Sequence, residues 1–544
     1  MNDKPSAASQ FQALIEAEWE WRMQADPLFA TSTGDHRYDD RLPRVREADY
    51  AERLAVLRKF RARLAAIHRP TLPAAQQLNY DIFGRLLDNE IGEHEFGAHY
   101  LPLSKAGGFH LYFPDLALFT PFDNTQDYER YIARLYAFGE YAADHIELMR
   151  AGLRQGYRPA RVTLDGVDAS VRGQIVTTAP DSPLYAPFRQ FPPAVAAADR
   201  QRLTEAGARA IVDSVAAGYA ALLRFLVDEY LPAAREDVAA ADLPRGAEFY
   251  RHRVLYYTSL ELTPEAVHAT GQAEVARIRA EMDTLIRRTG FTGSFAEFLA
   301  FLRTDDRFYV TSGEALLKET ALVLKRMDGE LPRLFGVLPR LPYGIRAIPD
   351  FSAPGNTTAY YYPAPGDGSR AGVYYVNTYD LRSRPLYEIE ALSLHEAVPG
   401  HHLQIALQQE LDLPHFRRFN GFTAFVEGWA LYAERLGLEA GFYTDPYSDF
   451  GRLSYEMWRA CRLVVDTGMH ALGWSRQRAI DFMAANTSST PLNITNEIDR
   501  YIAWPGQALA YKIGELKILE LRAEAERALG ARFNLRAFHD LLLG

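Results

Sequence analysis

At 544 residues the chain exceeds the length over which one hydrophobic core keeps growing, so two or more lobes are expected. Its 48% hydrophobic and 24% charged residues are those of a globular protein, and a formal charge of −10 argues against nucleic acid or an anionic membrane surface as a partner. Cys461 is the single cysteine, which excludes a disulfide framework and any thiolate-rich metal site.

The opening residues, 1–21, lack the apolar core of a signal peptide, and no apolar run is long enough to predict a membrane span; both point to the cytoplasm. Apolar residues then recur at three- and four-residue spacing over 128–153 and 206–230, predicting core-facing helices. The same pattern marks 264–289, 312–331 and 513–529, with prolines and glycines falling mostly between the helices. One region departs from it. Residues 357–378 hold two aromatic and β-branched runs around Pro-Ala-Pro-Gly-Asp-Gly-Ser, which predicts a small hairpin. Its edge could pair with an extended peptide, so Tyr375 and Asn377 are candidates for substrate contact. The expected fold is mainly α, with this small β element beside a cleft. The expected lobes are a helical one over 1–255 and a metal-binding one over 256–544.

A helix over 386–398 leads into His395-Glu396-Ala-Val-Pro-Gly-His401-His402. In the usual zinc-peptidase motif two His one turn apart bind the ion, and the Glu after the first acts as general base on a water. Here the spacing is wider. Six residues advance a helix by about 600° and 9 Å, and seven return to within about 20° of the same face but rise about 10.5 Å. Neither spacing makes a chelate on an undistorted helix. Pro399-Gly400 supplies the distortion, because proline removes a helical hydrogen bond and glycine admits conformations other residues resist. The pair His395 and His401 is favoured, with His402 open as the alternative.

The third ligand is expected on the next helix, at Glu427, with Glu434 two turns on in a supporting role. Further along, Asp466 and His470 stand at i, i+4; Asp466 is a candidate for orienting a zinc-bound imidazole through its second N–H. A lone His or Glu on a helix is ordinarily a surface or packing residue. Three His and a Glu within eight residues of an apolar helix are harder to explain that way.

His-Glu-Ala-Val-Pro-Gly-His-His-Leu-Gln (395–404), Glu-Gly-Trp-Ala-Leu-Tyr-Ala-Glu (427–434), Val-Asp-Thr-Gly-Met-His (465–470) and Trp-Pro-Gly-Gln-Ala-Leu-Ala-Tyr-Lys-Ile-Gly (504–514) occur in that order. Together they resemble the bacterial family catalogued as domain of unknown function 885, from Gly34-Asp35 to Phe533-Asn-Leu-Arg-Ala-Phe-His539. That family is described as similar to helical zinc peptidases such as angiotensin-converting enzyme, thimet oligopeptidase and the Taq carboxypeptidase. The resemblance implies one Zn2+ in a cleft between two helical halves, held by His395, His401 or His402, and Glu427, with Glu396 as base. It also implies an oxyanion donor well downstream, at Tyr511 or, second, Tyr501. Arg500, Gln507 and Lys512 are then candidates for binding substrate, the two cations through a carboxylate. Members of the family often carry export or lipoprotein leaders, so an exported protein with its leader removed is the alternative to the cytoplasm.

The expected activity is zinc-dependent hydrolysis of peptide bonds, in short peptides above all. The alternatives are a metal-dependent amidase acting on small acyl-amino compounds and a catalytically silent peptide-binding protein.

Overall fold

The computed structural model describes residues 6–350, 353–355, 357–366, 368 and 370–544. The chain divides into two units, one of residues 1–246 with 414–416 and one of 247–413 with 417–544, so the division falls at Gly246 where the sequence suggested 255.

The first unit is helical, with helices at Ala7–Ala25 (α1), Glu47–Ala65 (α2), Ala74–Glu95 (α3) and Thr125–Arg154 (α4). Asn124 starts α4: its side chain accepts from the N–H groups of Gln126 and Asp127, and the Asp127 side chain caps Asn124 in return. From there Tyr128, Tyr131, Leu135, Phe138, Ala142, Ile146 and Met149 form one buried stripe. Opposite lies the continuous helix Ala197–Ala233 (α5), which passes through two wider turns at Ile211–Ala216 and Leu226–Tyr230. Contrary to the sequence expectation, α5 is long and apolar enough to cross a membrane by length and composition alone. Half of its most apolar window is buried inside the protein, where Leu203, Ile211, Tyr219, Leu222 and Phe225 join the core with the α4 stripe.

The second unit contains every residue singled out for function. Pro264–Thr289 (α6) and Gly313–Leu334 (α7) precede a three-stranded sheet of Tyr343–Ala347 (β1), Ala359–Tyr362 (β2) and Gly372–Val376 (β3). Strand β3 is central: it runs parallel to β1 with Tyr343 opposite Gly372, and antiparallel to β2 with Ala359 opposite Val376. The predicted hairpin is therefore part of a larger sheet, to which β1 adds a strand; Asp367 and Ser369 of its turn lie outside the described residues. Side chains alternate along β3, so Tyr374 is buried in the core while Tyr375, on the other face, stacks on Tyr360.

The helices that follow include Leu386–Glu396 (α8), His401–Glu410 (α9), Thr423–Glu439 (α10), Pro446–Ala471 (α11), Pro491–Ala503 (α12) and Ala510–Leu529 (α13). Helix α11 is buried over most of its length, as expected of a central helix. Lys512 on α13 is fully buried and meets Glu456 of α11 at 2.7 Å, Glu515 at 2.6 Å and Glu274 of α6 at 3.0 Å. That cluster ties three helices by charge. Helices α10 and α13 cross at Gly428 and Gly514, where a methyl on either glycine would run into the backbone of the other helix.

Candidate metal centre

The local path of the chain follows from Pro399-Gly400. Helix α8 stops at Glu396, Ala397 leaves helical geometry at φ −111° and ψ −98°, and α9 restarts at His401 after Gly400 at φ −75° and ψ −128°. The helix is thus broken in two, where the sequence suggested one kinked helix. The His402 amide donates to the Ala397 carbonyl at 3.0 Å, and the Trp429 indole N–H donates to the Pro399 carbonyl at 2.8 Å, fixing the turn. Gly400 has no substitute here, because a Cβ would collide with the carbonyl oxygens of His395 and Leu394.

This break brings the His395 and His401 rings to 4.8 Å, nearly perpendicular at 86°. Their Nε2 atoms lie 3.7 and 3.5 Å from Glu427 Oε2, and the three atoms all fall within 4.8 Å of one another. These separations are too long for good hydrogen bonds. They are close to the about 3.3–3.5 Å between ligands arranged tetrahedrally at 2.0–2.1 Å around zinc. Glu427 Oε2 is buried and has no hydrogen-bond donor among the described residues, an expensive state for a carboxylate oxygen unless a cation faces it. Two imidazoles and one carboxylate are also a donor set of catalytic zinc, which keeps a fourth position open. By geometry, burial and chemistry the residues fit a zinc ion.

Behind the triad, His395 Nδ1–H donates to Glu434 Oε1 at 2.8 Å, turning Nε2 towards Glu427. Glu427 and Glu434 are seven residues apart on α10 and so share a face. Arg459 Nη2 stands 3.3 Å from Glu434 Oε1 and anchors it. Burial pulls the His395 pKa down, but Glu427 and Glu434 outweigh it and raise it to about 9. Burial alone would raise the Glu427 carboxyl; the two imidazoles instead hold it well below the usual range. Glu396, the last residue of α8, is buried beside His395.

Tyr511 lies beside this centre. Its ring lies 6.3 Å from that of His395 and nearly parallel to it, at 15°. Burial, then the Glu427 charge, raises the pKa of its hydroxyl, so it keeps its proton.

Several sequence candidates sit elsewhere. His402 is turned away, about 100° around the helix from His401. Its Nδ1 meets the Tyr361 hydroxyl at 2.9 Å, its ring lies 4.6 Å from that of Tyr343, and burial lowers its pKa to about 4. Asp466 is engaged elsewhere, and Glu434 is the carboxylate that meets His395; the Asp466 carboxylate accepts from the Tyr250 hydroxyl at 2.5 Å and the Gly506 amide at 3.2 Å. His470 Nε2–H donates to the Tyr501 carbonyl at 3.0 Å. The Tyr501 hydroxyl is buried between Trp458 Nε1 at 3.0 Å and Arg462 Nε at 2.7 Å, which leaves it occupied. Lys512 is spent on its three carboxylates. Asn377 is buried with its amide donating to the carbonyls of Ala353 and Thr357, holding the strand ends rather than facing a substrate. Tyr375 is half-buried against Tyr360. Gln507 Oε1 accepts from Arg500 Nη1 at 3.0 Å, which keeps those two candidates together.

Sequence reasoning missed Arg459 and Arg462. Their signal was legible: two arginines three residues apart within the apolar stretch Trp-Arg-Ala-Cys-Arg-Leu-Val-Val. Both are buried, and a guanidinium is buried only where acceptors or rings await it.

Residues 27–544 match the model of a bacterial protein family of unknown function, DUF885. The chain belongs to that family. No curated protein matches the chain. The DUF885 chain is similar to a solved structure described as "the putative lipoprotein from Colwellia psychrerythraea", at 29% identity and a TM-score of 0.93, over 99% of this chain and 96% of that one. A second similar structure, "a putative lipoprotein of unknown function from Shewanella oneidensis", has 19% identity and a TM-score of 0.73, over 99% and 97% of the two chains. This second likeness shows a shared fold only.

Proposed function

We propose that the chain is a zinc-dependent hydrolase that cleaves peptide bonds in short peptides. The observation that carries this reading is the convergence of two imidazole nitrogens and a Glu427 oxygen without a donor among the described residues, with the Glu396 charge acting on His395. His395, His401 and Glu427 would hold the ion. When bound, zinc supplies Lewis acidity that polarises a carbonyl and makes water acidic near neutral pH.

The chain's own groups do the rest. Glu434 and Arg459 fix the His395 ring, so Nε2 stays aimed at the centre. Glu396 takes a proton from the attacking water and delivers it to the leaving amine. Tyr511 donates its hydroxyl proton to the oxygen on which charge develops, and its raised pKa keeps that proton available. A peptide, rather than a small acyl-amino compound, is favoured by β2: this edge strand is linked through Tyr361 to His402, the neighbour of His401. An extended substrate could add to that edge by backbone hydrogen bonds. The word lipoprotein in the description of the Colwellia relative moves the expected location from the cytoplasm towards export.

The test is mass spectrometry of a peptide mixture incubated with zinc-loaded protein, with and without chelator, beside Glu396→Gln. Cleavage by the zinc form alone, lost in Glu396→Gln, is expected. Peptides left intact by the zinc form, or cleaved as fast by Glu396→Gln, would remove the reading.

A further inference from the structure

Near Tyr511 two guanidinium groups share one carboxylate. Glu497 Oε2 is 3.1 Å from Arg462 Nη2 and 2.9 Å from Arg500 Nη2. Arg500 gives Nη1 to Gln507, and Arg462 gives Nε to the Tyr501 hydroxyl, both neutral acceptors. The group therefore carries one positive charge in excess. The Arg462 side chain is only 4% exposed, and its Nη1 is buried with no acceptor among the described residues. Its guanidinium carbon lies 4.3 Å from the Tyr511 ring centre and 4.7 Å from that of Trp458. Those rings attract the cation, but they offer no oxygen to its free N–H groups. A buried guanidinium with an unmet donor is unfavourable unless an anion completes it.

Tyr511 also fixes how far this charge is from the zinc ligands. The Arg462 guanidinium carbon is 4.3 Å from the Tyr511 ring centre, which is 6.3 Å from that of His395, so guanidinium and imidazole are at most about 11 Å apart. An extended chain covers about 3.3–3.6 Å per residue. That separation corresponds to about three residues, which places an anion on Arg462 within a few residues of a bond cut at the centre. The ligand that matches is a carboxylate, since Glu497 already pairs with both guanidinium groups, and an unmodified linear peptide has a free carboxylate at one end.

We infer that Arg462, backed by the Arg500 charge, binds the C-terminal carboxylate of the substrate, so that the enzyme trims peptides from that end and releases a few residues. The inference rests on the hydrolase reading above. The reaction is simple hydrolysis: the C–N bond breaks, the hydroxyl of water goes to the acyl carbon and its proton to the amine.

The experiment uses pentapeptides of one sequence ending in a free carboxylate or in an amide. Each is assayed for cleavage by the zinc-loaded protein and, by calorimetry, for binding to Glu396→Gln. The free acid is expected to be cut within three residues of its end, with kcat/KM about thirtyfold or more above the amide, and to bind more tightly. Arg462→Gln should shrink both differences, and Arg462→Lys, which keeps the charge but not the fork, should restore part of them. Equal cleavage and binding of acid and amide, or cuts far from the C-terminus, overturn the inference and leave the hydrolase reading standing. Tighter binding of the acid without cleavage of either peptide overturns the hydrolase reading and the trimming with it, and leaves only the carboxylate site on Arg462. No binding and no cleavage of either overturns both.

Discussion

Tyr511 lies between charges of opposite sign, with Glu427 on one side and the Arg462 guanidinium against its ring. If its hydroxyl stabilises the oxyanion, Tyr511→Phe should lower kcat by about 10²–10³, or 2.7–4 kcal/mol, with little change in zinc content. Steady-state kinetics on any cleaved peptide decides this; an unchanged kcat would assign the hydroxyl another role. At this scale the sequence was informative about residue type and less so about direction. That His395 and Glu427 come together was legible, because the motifs put them on neighbouring helices. The choice between His401 and His402 was not, because it depends on how α9 is rotated after Ala397–Gly400. For Asp466, Lys512 and Asn377 the partners are distant in sequence, so nothing nearby announced that they were taken.

The element that decides the centre is the turn between α8 and α9. Placing a methyl on Gly400 would drive it into the carbonyl oxygens of His395 and Leu394, so Gly400→Ala must shift backbone that carries both imidazoles. The expected result is a loss of about 1–3 kcal/mol in chemical denaturation together with weaker zinc binding. Stability and zinc affinity equal to wild type would mean that the turn is not what seats the histidines. Helices were the readable part of the fold: 264–289 and 513–529 correspond to Pro264–Thr289 and Ala510–Leu529, because long amphipathic stripes repeat over many turns. Strand β1 was missed. Tyr-Gly-Ile-Arg-Ala is short, contains glycine and arginine, and is a strand only because β3 pairs with it.

Over the whole molecule, buried charge makes stability depend on pH. Glu388, in the first turn of α8, has its carboxyl pushed by burial from 4.5 up to about 7, against the pull of Arg384 and Arg459. The unfolded chain therefore releases this proton first as pH rises. The stability it contributes is complete below 4.5 and is lost as pH climbs through about 7. Glu388→Gln should flatten that fall by at most about 3 kcal/mol, measured as the difference from wild type in urea melts of metal-free protein at pH 5 and pH 8. Parallel pH profiles would show that Glu388 ionises alike in both states. The broad architecture was legible in the helical periodicity and the length of the chain. The place of the division at Gly246 was not, because it is set by long-range contacts rather than by any linker composition.

Zinc content is the most direct test of the central claim. Elemental analysis of wild type, His401→Ala and His402→Ala, each equilibrated with zinc and desalted, should give one ion per chain in wild type and His402→Ala and none in His401→Ala. A wild type without stoichiometric zinc, or a His401→Ala protein that keeps it, would contradict the account.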